Sequence, residues 1–473
     1  MHKWTKSALA ATALTFTLSG CDDFLTGPGV SDNPNAPVEV GTAQLYQGIQ
    51  LSQTVQHTGD LARHAAMWTQ QMAGIGNQYS GRDQYVVTEQ DLAAWYNAIY
   101  TGGGLIDMRE VIARSEAAND RTYAGIVRVW EGYLMGESAS LWGALPYSQA
   151  VNEDNPTPKL DDQADVYAAV QATLDKAIAD LQSNQGVGPG QTDLIYRSTT
   201  VEQQRAKWIQ LAHTLKARFY MHWVEAQAFS GTHNGKNVAA EATKACGGNC
   251  LQKAVAAAAN GISTPANNFT SFQSTTAGGE NLWYQFMFVR RQGQIAAGKN
   301  LVDLMKSRND PRLEQYFAPT GGQVVGAAPA GASGSLLSAT RGAAGFRQPM
   351  VTYAENQLIL AEANARLATG NPLTNLNNAR TAEGLTALSG LSGAALLREI
   401  MLEKYIAQFQ NVDVYNDYKR TCIPEIRPAG NAQAVIGRIL YSDTERAANP
   451  NIPLPTNQPS RNDNDPQACP RPA

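Results

Sequence analysis

Apolar residues recur along this chain in steps of three and four, the spacing that lines one face of a helix. Between Arg121 and Leu141 the stripe is Tyr123, Val127, Trp130, Leu134 and Leu141. Between Ala164 and Leu181 it is Val166, Val170, Leu174, Ile178 and Leu181. From Gln204 to Glu225 it is Trp208, Ala212, Leu215, Phe219 and Trp223. The pattern predicts further helices near 42–58, 60–73, 89–114, 236–260, 294–307, 350–369 and 393–410. The run from Leu358 to Gly370 reads as the first helix of a tetratricopeptide-type pair, with Asn375 to Glu383 as its partner, although no strict repeat period holds. Between the helices, Gly186–Thr200, Ile262–Gly293 and Ala318–Pro349 lack period and are rich in glycine, so they predict loops or short strands. Long loops on a rigid scaffold are where binding residues concentrate.

The first forty residues follow different rules. Lys3 and Lys6 precede an uncharged run from Ala8 to Leu18, too short for a permanent membrane span. It ends in Leu18-Ser19-Gly20-Cys21, the pattern of a bacterial lipoprotein signal, which predicts removal of 1–20 and lipidation of Cys21. Several acyl chains are then needed for a stable anchor, because one holds only marginally. Residues 21–40, rich in Asp, Gly, Pro and Asn, read as a tether before a folded domain over 41–473. Without residues 1–20 the chain carries 35 basic and 41 acidic side chains, a balance of −6 that argues against a nucleic-acid surface. Four cysteines remain besides Cys21, an even number that suggests disulfides in an exported chain, with three possible connectivities. The Gly-Gly-Asn between Cys246 and Cys250 is flexible enough to close a small loop, which leaves Cys422 for Cys469. A zinc site using His233 is the competing reading, weakened by the lack of a second Cys/His pair.

No nucleophile elbow, His-Glu-x-x-His pair, phosphate-cradling loop or EF-hand is present, and no cofactor or metal is expected. His213 and His222 share a helix with Trp208 and Trp223 and read as packing residues. What recurs is aromatic residues in polar, glycine-rich stretches. Tyr79, Arg82 and Tyr85 precede Trp95 and Tyr96, and Gly278-Gly-Glu-Asn281 precedes Trp283, Tyr284, Phe286 and Phe288. A sugar presents C–H faces edged with hydroxyls, so its site wants flat rings beside Arg or Asn. Tyr79, Arg82, Tyr85, Asn281, Trp283 and Tyr284 are therefore the candidate ligand residues. Trp95, Tyr96, Phe286 and Phe288 are expected in the core.

Several segments resemble one family in the right order. They are Cys21-Asp-Asp-Phe-Leu25, Trp142-Gly-Ala-Leu-Pro-Tyr-Ser-Gln-Ala150, the helix Lys207–Arg218, Asn309-Asp-Pro-Arg-Leu313, the helix Tyr353–Ala365, Arg398–Glu403 with Asp417-Tyr-Lys-Arg420, and Arg438-Ile-Leu-Tyr441. Together they resemble the SusD/RagB-type outer-membrane nutrient-binding lipoproteins. One segment departs from that pattern, Gln408-Phe-Gln-Asn-Val-Asp413. The resemblance implies an all-α fold, a tetratricopeptide-like scaffold with an irregular loop-rich lobe and a few short strands. The repeats would fall at about 41–260 and 350–420, the ligand lobe at about 261–349 and a tail at 421–473. It also implies a non-enzymatic, surface-exposed lipoprotein of the outer membrane. Such a protein captures a glycan and passes it to a SusC-like TonB-dependent β-barrel transporter; a peptide ligand or a purely protein-binding adaptor is the alternative.

Overall fold

A computed structural model describes residues 40–470 and 472, so Cys21, the signal and nearly all of the tether lie outside the described residues. Thirteen helices of nine residues or more occur among the described residues. They are α1 (Thr42–Thr58), α2 (Asp60–Trp68), α3 (Leu105–Ala117), α4 (Arg121–Trp142), α5 (Gln163–Gln182), α6 (Val201–Met221), α7 (Val238–Cys246) and α8 (Cys250–Ala258). After them come α9 (Lys299–Ser307), α10 (Tyr353–Leu367), α11 (Pro372–Ala382), α12 (Gly393–Ala407) and α13 (Asp413–Thr421). The fold is mainly helical. The only sheets among the described residues are three antiparallel pairs of short strands: β1 (Met72–Gly74) with β5 (Ile295–Ala297), β2 (Thr232–His233) with β3 (Lys236–Asn237), and β4 (Phe269–Thr270) with β6 (Pro349–Val351).

The stripes do what their spacing requires. Val166, Val170, Leu174, Ile178 and Leu181 are all buried, as are Trp208, Ala212, Leu215, Phe219 and Trp223. Helices stack in succession, α3 on α4, α4 on α5, α5 on α6 and α7, α6 on α8, α8 on α10, and α10 on α11 and α12. Glycines set how closely they approach. A Cβ on Gly132 of α4 would lie 2.7 Å from Leu174 of α5, and one on Gly136 would lie 2.4 Å from Phe219 of α6. Side chains cap the helix starts: Asp120 accepts from the Tyr123 amide at 2.9 Å, and Thr352 from that of Glu355 at 3.0 Å.

The helix predicted over 60–73 ends at Trp68, ahead of β1, and three other predicted helices are interrupted, each for a local reason. Over 89–114 the chain breaks at Gly103, whose φ of +77° suits glycine. Over 236–260 it breaks into α7 and α8, because Gly247 takes the left-handed conformation and Asn249 caps a new helix at the Gln252 amide, 3.0 Å away. The Cys246–Cys250 disulfide spans that turn. Over 294–307 the first residues pair with β1 before α9 begins. A second disulfide joins Cys422, just past α13, to Cys469. Both cysteine pairs are thus disulfides, which replaces the zinc alternative. The helix α13 and the short Asp443–Ala448 helix were not signalled by periodicity.

Charged residues of the family-like segments meet inside the helical stack. Arg218 of α6 donates to both carboxylate oxygens of Glu355 of α10, at 2.6 and 2.7 Å. Arg420 of α13 does the same to Glu362 of α10, at 2.6 Å each. Lys404 of α12 reaches Glu362 at 3.2 Å and Asp417 at 2.9 Å. Arg312 lies 2.7 Å from Glu403 of α12. Burial alone would favour neutral forms, yet Glu355 and Asp413 beside Arg218 hold its guanidinium well above the usual range. Around Glu362, Arg420, Lys404 and Arg366 likewise outweigh burial and hold the carboxyl well below its own range.

Candidate functional site

The two aromatic stretches singled out from the sequence converge at the start of α2. Asp60, buried there, accepts from the Tyr79 hydroxyl at 2.6 Å and from Arg63 at 3.2 Å, and Arg82 approaches it at 3.6 Å. Burial pushes the Asp60 carboxyl up, but His64, Arg63, Tyr79 and Arg82 together hold it well below the ordinary carboxylate range. From the other side Phe286 meets the Tyr79 ring edge-on at 4.8 Å and lies 4.4 Å from the Arg63 guanidinium. Arg63 also donates to the Leu282 carbonyl at 3.4 Å. This hub is closed to solvent, with each charge answered by a neighbour. Burial, with Asp60 second, pushes the Tyr79 hydroxyl up to about 12, so it stays a donor at neutral pH.

The six candidates divide sharply by exposure. Trp283 is 0 % exposed and its indole donates to the Thr58 carbonyl at 2.9 Å. Asn281 is buried too: its side-chain oxygen accepts from the Trp283 and Tyr284 amides at 2.8 and 3.2 Å, and its amide donates to the Phe346 carbonyl at 2.9 Å. Tyr79 and Arg82 are buried in the hub, Arg82 donating to Asp91 at 2.8 Å. These four therefore position the site and do not present a surface. Tyr85, half-buried, accepts from the Ala429 amide at 3.3 Å and stands apart. Only Tyr284 stays half-exposed beside the hub.

The cap by Asn281 explains the division. It starts a helical turn at Leu282 that sends Trp283 inward and Tyr284 outward, and the chain then winds as a π-helix over Gln285–Arg290. Such segments are rare and recur at functional sites. Here the wide turn keeps Tyr284 and Phe288 on one face, ring centres 6.0 Å apart and planes tilted by 31°. Phe288 was expected in the core and is half-exposed, as is Trp95; Tyr96 and Phe286 are buried as expected. Trp95 and Leu282 flank Gly59, each 3.3 Å from where its Cβ would stand.

A loop within the expected lobe, none of whose residues was among the candidates, lies beside this face. Residues 341–347 lie across the Tyr284 turn: the Asn281 amide donates to the Ala344 carbonyl at 2.6 Å, and Gly342 is so close to Phe288 that a Cβ would lie 2.6 Å from its ring. Phe346, half-exposed, stands between Arg341 and Arg347. An aromatic beside arginine in a glycine-rich run is the signal already used for Tyr79, and it would have found this loop. A separate open cleft of about 680 Å³ lies between α3 and the 146–158 loop, lined by Tyr100, Ile106, Arg109, Pro146, Val151 and Glu445. Its Arg109 already donates to the carbonyls of Tyr147 and Ala150, and Glu110, Asn152, Glu153 and Asn155 also line it. No cluster of His, Cys, Asp and Glu suited to a metal occurs among the described residues, and none of their helices is long and apolar enough to cross a membrane.

Solved structures share this fold. A SusD/RagB family protein from Bacteroides thetaiotaomicron superposes with a TM-score of 0.70 at 20% identity, over 89% of this chain and 97% of that one. A chitin-binding protein reaches 0.72 at 19% identity, over 90% and 100%. A chitin-binding SusD homolog from Flavobacterium johnsoniae reaches 0.69 at 17%, over 90% and 98%. No curated protein sequence matches significantly. At the level of sequence, residues 34–442 match the model of the SusD-like family described as starch-binding and associating with the outer membrane, and the chain belongs to that family.

Proposed function

We propose that this protein is a lipid-anchored outer-membrane lipoprotein that captures an oligosaccharide at the cell surface and passes it to a SusC-like TonB-dependent barrel. Cys21 would carry the lipid. Binding rather than turnover is the role, in keeping with the family description and with chitin binding by two structures of the same fold. The observation that carries the reading is the pair Tyr284 and Phe288, half-exposed on one face of a π-helical turn that Asn281 and the 341–347 loop hold rigid. Flat rings fixed before the ligand arrives lose little entropy on binding. Covering one face of each ring removes on the order of 50 Å² of apolar surface, roughly 1 kcal/mol per ring.

The test is calorimetric titration with starch-derived and chitin-derived oligosaccharides, alongside chromatography of the mixture for cleavage products. Tyr284→Ala combined with Phe288→Ala should weaken binding about thirtyfold, the equivalent of roughly 2 kcal/mol. A glycan released intact supports capture; products that accumulate with time overturn it. If no glycan of a broad panel binds while a barrel co-purifies with the lipidated protein, the protein-binding adaptor replaces this reading. Loss of membrane association and of radiolabelled palmitate in Cys21→Ala tests the anchor.

A further inference from the structure

The arginines of the molecule fall into two populations. Most have a carboxylate oxygen within 4.0 Å, as Arg218, Arg312 and Arg420 do. Among the described residues, Arg197, Arg290, Arg291, Arg341, Arg347, Arg427 and Arg438 have none; the first five belong to the irregular stretches, and Arg438 is instead bonded to the Trp142 carbonyl and Gln458. Over 261–298 and 318–352 the chain holds four arginines and one glutamate, a net charge of +3 in a protein whose formal charge is −4. The one glutamate is turned inward on its own loop: Glu280 accepts from the Gly278 amide at 2.7 Å and from the Gln285 side chain at 3.1 Å.

Four of these cations lie on the segments that carry or cover the half-exposed rings. Arg290 and Arg291 follow Phe288 at the end of the π-helix, both exposed. Arg341 and Arg347 bracket the loop stapled across that helix by Asn281. The Arg341 guanidinium lies 4.5 Å from the Tyr316 ring centre and 5.2 Å from that of Phe346. Arg347, exposed, donates through Nε to the Ser271 carbonyl at 3.0 Å and leaves its other nitrogens free of carboxylate partners among the described residues. Partial desolvation of its inner nitrogens and the neighbouring Arg197 cation both press the Arg347 guanidinium below its usual range. Asp193 is the nearby acid, and it is already occupied by the Ile195 and Tyr196 amides, Trp208 and Gln204. Crowded guanidiniums without carboxylates create a positive field that a bound anion relieves.

We infer that the oligosaccharide taken by this site is anionic, carrying uronate carboxylates or sulfates that meet Arg290, Arg291 and Arg347 while its sugar faces lie on Tyr284 and Phe288. This rests on the glycan-binding reading and narrows it to a ligand class. Charge would also speed capture, since a localised positive surface on an acidic protein steers anions toward the rings.

Paired probes test it with the full mature protein: oligogalacturonides against their methyl esters, and carrageenan oligosaccharides against the desulfated sugars. Each pair keeps the backbone and removes the charge. The acidic member should bind at least about tenfold more tightly, and its affinity should fall several-fold between about 20 and about 200 mM NaCl. Arg290→Ala, Arg291→Ala and Arg347→Ala together should bring the acidic ligand down to the affinity of its neutral partner, with a circular dichroism spectrum like the parent's. Whichever of the two acidic sugars binds more tightly identifies carboxylate or sulfate as the group recognised. Equal binding of charged and neutral members overturns the inference and leaves glycan capture standing. Absence of binding by every sugar, neutral or charged, removes both. A polyglutamate peptide that binds as tightly as the acidic sugar shows a charge effect without glycan selection, and also overturns it.

Discussion

Two buried carboxylates, one inside the helical stack and one set against the loop lobe, have opposite fates. Glu362 of α10 is fully enclosed and meets Arg420, Lys404 and Arg366, which together hold it ionised far into acid. Asp83, 1 % exposed at the end of the Asn77–Asp83 helix, has no cation. It accepts only from the amides of Gly74 at 2.8 Å and Ala330 at 3.4 Å, and burial pushes it up to about 7. The arginines of α6, α10 and α13 are paired with carboxylates, whereas Arg290, Arg291, Arg341 and Arg347 of the irregular stretches are not. In the stack, charges are held by one another and define how helices dock. In the lobe, charges are left over, and what answers them has to come from outside or from a proton.

The largest expected effect comes from breaking the stack's pairing. Arg218→Ala strands Glu355 and Asp413 in the core without their main cation, and should cost about 5 kcal/mol of unfolding free energy in a denaturant titration. Replacing the pair by Arg218→Met with Glu355→Leu should recover part of that, since the Glu355 charge leaves with its partner and Asp413 keeps its contact with His222 at 2.8 Å. A single variant within about 1 kcal/mol of the parent would show that the network is not what docks α6 on α10.

On the lobe side the sharpest probe is Asp83. Its folded pKa of about 7 lies above the ordinary value of 3.8, so the folded state binds the extra proton. Stability from this group is therefore fully present below about pH 4, falls as pH rises toward 7, and is level above it. The full swing is on the order of 4 kcal/mol. Asp83→Asn keeps an acceptor for the Gly74 amide and cannot ionise. The difference between variant and parent should grow through that window and then stop; a difference independent of pH would mean that Asp83 finds a cation after all.

How much of this was legible in the sequence differs between the same two regions. Stripes such as Val166 to Leu181 sufficed for the stack, because helical burial repeats locally and needs no knowledge of the partner. The cysteine spacing sufficed for the Cys246–Cys250 loop. The family-like segments were recognisable, yet what they do was not, because Arg218 meets Glu355 across a separation of 137 residues. Their charges describe how the fold is held, so they identify the family and say little about its ligand. Trp283 was misplaced for the same reason. Its inward turn depends on the Asn281 cap, and its indole is satisfied by Thr58, 225 residues away. Nor does any periodicity announce a π-helix.

That placement makes Trp283→Ala a stability variant. Emptying a fully buried indole site should cost about 4 kcal/mol, and a binding defect without such a loss would return Trp283 to the ligand surface. The tail offers an effect of similar size. The Cys422–Cys469 bridge closes a separation of 47 residues, and opening it with Cys422→Ser and Cys469→Ser should cost about 4 kcal/mol. The equivalent change at Cys246 and Cys250, separated by 4, should cost less, about 2 kcal/mol.

The smallest stability effect belongs to the residue next to Trp283. Tyr284 shares the Asn281 cap, but its ring is half-exposed and stacks only on Phe288, so Tyr284→Ala removes little buried surface and no buried polar partner. Its cost should stay below about 1 kcal/mol. Neighbouring positions on one turn would thus differ severalfold in stability and in the opposite sense for ligand affinity. Denaturant titration of Trp283→Ala and Tyr284→Ala, beside calorimetry of each with the same sugar, measures both differences at once. Similar stability losses at the two positions would mean that the turn folds as a unit and carries no separate ligand face, and the distinction between a paired stack and an open lobe would then end at the Asn281 cap.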